Sequence, residues 1–105
     1  MDDCALVLTT FPVDSDADGF ARTLVSERLA ACVSVLPPMR STYRWKGTVE
    51  TADERQVLIK TKAASVAALE KRVRELHPYE VPEFLMLNIA AGSAAYLSWL
   101  NESVG

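Results

Sequence analysis

Seven consecutive residues, His77-Pro78-Tyr79-Glu80-Val81-Pro82-Glu83, bring together the single histidine of the chain, a phenol, two carboxylates and two prolines. An imidazole beside carboxylates is a ligand set for copper or zinc, and a phenol near a carboxylate is an acid–base pair. Each residue also has a plainer use. His77 suits a helix C-cap whose ring bonds the last helical carbonyls, and Tyr79 and Glu83 suit groups that satisfy each other in a stiff loop. Stiffness follows from the prolines, because each fixes its own φ and drives the preceding residue, here His77 or Val81, out of helical geometry.

The other chemical patterns are weaker. Asp14-Ser15-Asp16-Ala17-Asp18-Gly19 matches the first half of a calcium loop, but Val25 stands where the bidentate glutamate belongs, so an acidic helix entrance is the better reading. The same acidic loop repels phosphate, and the strand Arg55 to Lys62 has no aromatic on which a base would stack. Cys4 and Cys32 lack zinc-type spacing and read as reduced, buried thiols. Tyr43 and Trp45, beside a hairpin tip, are too apolar for open solvent and are expected to lie against a neighbouring subunit.

The elements that must position these residues follow from periodicity. Cys4 to Phe11 is an apolar strand ending at Pro12, and Ala17, Phe20, Ala21, Leu24, Val25 and Leu29 recur at helical spacing. Cys32 to Leu36 forms a strand that Pro37-Pro38 confines to an edge or kinks with a bulge, after which it resumes. Arg40 to Trp45 and Thr48 to Glu50 flank a tight turn at Lys46-Gly47, and Arg55 to Lys62 forms a third strand. Ser65 caps a helix striped by Val66, Leu69, Val73 and Leu76, Phe84 to Ile89 is a fourth strand, and a short helix carries Tyr96, Leu97, Trp99 and Leu100.

The order βαββαβ plus a short C-terminal helix predicts an α+β, ferredoxin-like split βαβ sandwich formed by residues 1–105 as one domain. Strands one and four are apolar in both alternation phases, Ala5 and Val7 against Leu6 and Leu8, Phe84 and Met86 against Leu85 and Leu87. Two helices cover one face only, so a second copy of the chain is expected on the other. With a net charge of −3 and 50% hydrophobic residues, the chain has no basic field for nucleic acid or anionic membrane. The acidic start Met1-Asp2-Asp3 and the lack of a spanning apolar run point to the cytoplasm.

Leu8-Thr9-Thr10-Phe11-Pro12, Glu27-Arg28-Leu29-Ala30-Ala31-Cys32-Val33, Tyr43-Arg44-Trp45-Lys46-Gly47, Leu58-Ile59-Lys60-Thr61, the 77–83 loop and Tyr96-Leu97-Ser98-Trp99-Leu100 together resemble CutA, the divalent-cation tolerance family. The resemblance implies a homotrimer similar in architecture to the nitrogen-regulatory PII proteins, and a link to divalent metal tolerance. It also implies a divalent cation such as copper as a candidate ligand, with no agreed biochemical activity for the family. Copper-binding members carry a cysteine at the end of strand one and a histidine pair before Pro-Tyr. This chain has Thr9 and Leu76-His77 there, which leaves His77 as the metal residue.

The expected function is therefore binding rather than catalysis, in a cleft between subunits where Tyr79, Glu83, Lys60 and Trp45 receive a metal ion or small ligand. A trimeric interaction scaffold is the alternative. An enzyme using Tyr79, Glu83 and Lys60 as acid, base and electrostatic partner is the third reading.

Overall fold

The computed structural model describes residues 3–105, so the acidic start at Met1 and Asp2 lies outside the described residues. Strand β1 (Cys4–Pro12) is followed by helix α1 (Ala17–Ser26) and by the long strands β2 (Cys32–Trp45) and β3 (Thr48–Lys62). A 3-10 turn at Ala63–Ser65 leads into α2 (Val66–Leu76), then β4 (Leu85–Asn88) and α3 (Ala94–Ser103). One four-stranded antiparallel sheet has the order β2-β3-β1-β4, the ferredoxin-like arrangement with the two crossover helices on one face.

Alternation along β1 decides the layering. Val7 and Phe11 point into a core completed by Phe20 and Leu24 of α1, Leu69 and Val73 of α2, and Val57 and Ile59 of β3. Arg72 of α2 donates to both carboxylate oxygens of Glu27, at 2.9 and 2.8 Å, and so ties the end of α1 to α2. The opposite phase of β1 behaves differently at its two ends. Cys4 joins Ala31, Leu100 and Val104 in a second cluster beneath α3. Leu6 and Leu8 instead stand opposite Leu87 and Leu85 of β4, which are 46% and 54% exposed.

Pro37-Pro38 interrupts the ladder without ending the strand. The β2–β3 register shifts between Val35 and Pro38, and pairing then continues to Trp45 and Thr48. β2 is an edge strand, so the missing proline N–H groups cost no partner on its free side. The strand thus resumes past Pro37-Pro38 as expected, whereas Thr48 to Glu50 and Arg55 to Lys62, expected as separate segments, are one strand, and the far ends of β2 and β3 form an arm that stretches the molecule to 44 × 25 × 24 Å. Its tip is the expected turn, with Lys46 at φ 50° and Gly47 at φ 83°, both left-handed as a two-residue hairpin connection requires.

Two capping expectations resolve in opposite ways. Asp16 caps α1 by accepting from the Gly19 N–H at 2.8 Å, and a Cβ on Gly19 would sit 2.3 Å from the Asp16 carboxylate. The glycine of the calcium-like string is thus needed for the cap. Ser65 makes no side-chain cap bond, because the preceding 3-10 turn holds it in helical geometry, where its hydroxyl is not aimed at the first free N–H groups.

Candidate functional site

α2 stops at His77 because Pro78 forbids helical geometry there; His77 is extended, at φ −82° and ψ 139°, and its N–H bonds the Val73 carbonyl at 2.8 Å. Its backbone is thus the expected C-cap. Its ring is not, since it turns away from its own helix toward β1. Nε2 lies 2.6 Å from the Thr10 carbonyl oxygen, which only accepts, so Nε2 carries the proton and donates. Nδ1 accepts from the Tyr79 N–H at 3.0 Å.

The imidazole is packed between Phe11 and Tyr79, with ring centroids 4.2 and 5.0 Å away. Burial pushes its pKa below the usual histidine range, opposed by the bond to Thr10 and the charge of Glu54. A copper or zinc ion at His77 does not fit this arrangement. Both ring nitrogens are engaged within the chain, and among the described residues no three His, Cys, Asp or Glu side chains form a group able to hold a metal. Thr9 is fully buried on the helix-facing side with its hydroxyl unpaired, and Leu76 packs against the core, so neither supplies a ligand.

Beyond His77 the loop folds back over the base of the β2–β3 arm. There it encloses a groove of about 700 Å³ whose polar wall is Glu54, Gln56, Tyr79, Glu80 and Glu83. The Tyr79 hydroxyl donates to Glu54 Oε2 at 2.6 Å. Burial first, then this bond and the Glu54 charge, hold the phenol well above its ordinary pKa, so it is a fixed donor. Gln56 Nε2 donates both to the Thr9 carbonyl at 2.8 Å and to Glu83 Oε2 at 2.9 Å, which ties the loop to β1 and β3 together. Tyr43 and Trp45 form the apolar side and remain 42% and 39% exposed.

Of the four expected ligand residues, Tyr79, Glu83 and Trp45 therefore line one groove, and Lys60 does not. Lys60 is four residues beyond Gln56 on the same strand, about 13 Å along it, and it donates to the Tyr96 hydroxyl of α3 at 3.1 Å. The enzymatic reading loses its electrostatic partner by this separation. Glu54 and Gln56 are the residues that sequence reasoning missed. Glu54 is only 6% exposed, and the signal that would have found it is its place in phase with Gln56 on a strand running under the loop.

Comparison with known proteins agrees with this architecture. The family described as CutA1 divalent ion tolerance protein matches residues 5–103. A divalent-cation tolerance protein CutA of Thermus thermophilus is 46% identical over 100 residues, covering 95% of this chain and 97% of that protein. Among solved structures, CutA from Xylella fastidiosa is 45% identical with a TM-score of 0.93, covering 98% of this chain and 99% of that one. CutA1 from Oryza sativa is 36% identical with a TM-score of 0.95, covering 99% and 95%.

Proposed function

The chain belongs to the CutA1 divalent ion tolerance family, and on that premise we propose that it serves divalent-cation tolerance by binding a small ligand, as a homotrimer, in the groove beneath the 77–83 loop. The observation that carries this reading is the paired fixation of two carboxylates in one groove, Glu54 by Tyr79 and Glu83 by Gln56. Fixed groups of this kind lose little freedom when a ligand arrives, which is what a binding site requires.

Self-association is supported by Leu6, Leu8, Leu58, Leu85 and Leu87. Strand pairing aligns Leu8 with Leu58 and Leu85, and Leu6 with Leu87, on the sheet face away from α1 and α2. A second copy is the cover that costs least to encode, and it would close the groove from the side left open by the arm. Native mass spectrometry of the purified protein tests the reading. Three chains with a small molecule retained by the wild type and lost from Glu83→Ala is the expected result, whereas ligand retention unaffected by Glu83→Ala overturns the groove as the site.

A further inference from the structure

Strand alternation keeps the arginines of the β2–β3 arm off the groove side. Met39, Ser41, Tyr43 and Trp45 stand opposite Glu54, Ala52, Glu50 and Thr48 and share the groove side, while Arg40, Arg44 and Arg55 fall in the other phase, where Arg40 pairs with Asp53 at 3.7 Å. The groove consequently gathers Glu54, Glu80 and Glu83, and among the described residues no lysine or arginine lines it. Among the described residues each fixed carboxylate is bound through one oxygen, Glu54 Oε2 by Tyr79 and Glu83 Oε2 by Gln56, which leaves the second oxygens to accept from a ligand. Thr10, 8% exposed, adds a hydroxyl to the lining. Tyr43 and Trp45 supply the apolar side of the lining, and the Trp45 ring also holds the Lys46 ammonium 5.5 Å from its centroid.

We infer that the groove takes a small organic cation bearing primary ammonium groups, which Glu54 and Glu83 hold by charge-assisted hydrogen bonds while its hydrocarbon part lies against Tyr43 and Trp45. A carboxylate, phosphate or sugar phosphate would meet three carboxylates in the lining, with no lysine or arginine among the lining residues to offset them. Glu54 and Gln56 lie two residues apart in one phase of β3, about 7 Å along the strand, and Gln56 holds Glu83, so two carboxylates flank one stretch of the groove as the two ends of a short diamine require. This assignment of ligand class rests on the reading of the groove as the binding site.

The test is an NMR titration of the full chain with 1,4-diaminobutane, and with 1,4-butanediol, succinate and magnesium chloride as separate arms, read at the Trp45 indole N–H and the groove carboxylates. Saturable shifts with the diamine, absent with diol and succinate and weakened about tenfold or more by Glu83→Gln, are expected for loss of one charge-assisted bond. Glu83 is half-buried at the rim, so the variant's fold can be checked by its unchanged core methyl spectrum, and Glu54→Gln gives a second, independent removal of charge. Saturation by succinate, or by magnesium alone, keeps the groove as a site and overturns the organic-cation class. Diamine binding unchanged in both variants also overturns it, and silence of the groove signals to every arm removes the groove reading itself.

Discussion

Tyr79 and Glu54 are joined by a 2.6 Å hydrogen bond, phenol to carboxylate, across 25 residues of sequence. The bond pins the proline-stiffened loop to the base of the arm and supplies a donor to a carboxylate that is 6% exposed. Removing the hydroxyl with Tyr79→Phe keeps the ring and strands the carboxylate, which costs about 1–3 kcal/mol. The unfolding free energy from urea titration should fall by that amount, through a lower midpoint at an unchanged slope, measured at fixed protein concentration because self-association contributes to stability. A change below about 0.5 kcal/mol, the range of ordinary surface substitutions, would show that the loop does not depend on this bond.

His77 carries a pH prediction whose sign follows from its burial. Its folded-state pKa is lowered, so the unfolded chain takes up the proton more readily and acid favours unfolding. The contribution is complete above the unfolded value of about 6.5 and is lost progressively as pH falls below it. Protonation also places a proton on Nδ1, where the Tyr79 N–H now donates. Stability of the wild type should drop between about pH 7 and pH 5 by more than that of His77→Gln, and parallel curves would contradict the neutral, doubly bonded ring.

The same geometry predicts copper behaviour. Cu(II) added at neutral pH should leave the imidazole resonances of His77 unbroadened at one equivalent, and His77→Ala should leave the calorimetric copper isotherm unchanged. Selective loss of the His77 signals together with loss of uptake in the variant would mean that the ring abandons Thr10 and Tyr79 to coordinate the ion.

For the leucine face, Leu87→Asp places a charge opposite Leu6 on the exposed side of the sheet. Burial of one such side chain contributes about 1.5–3 kcal/mol. Sedimentation velocity should give a trimer for the wild type and a smaller species for the variant. A wild-type monomer at micromolar concentration contradicts the assembly.

Much of this arrangement was legible in the sequence, and the exceptions have physical causes. Periodicity places β1, both crossover helices and the Lys46-Gly47 turn, because side-chain alternation and a positive φ are local properties. The Pro37-Pro38 interruption was legible too, as an edge position or bulge after which the strand resumes, whereas the continuity of Thr48 to Glu50 with Arg55 to Lys62 was not, because Thr51-Ala52-Asp53-Glu54 carries no apolar alternation. Lys60 was grouped with Tyr79 and Glu83 by chemistry alone, whereas the register of β3 carries it to the opposite end of the sheet from the loop. Glu54 was passed over because its meaning depends on Tyr79, a contact only the fold creates.

The central claim, that the chain acts by binding in the groove beside Tyr79 and Glu83, is tested most directly through Trp45. The chain has two tryptophans, so in Trp99→Phe the emission reports Trp45 in the groove wall alone. Screening small molecules against that variant should find a saturable change in emission, abolished when Glu83→Ala is added. A saturable change that persists unaltered with Glu83→Ala would contradict the account.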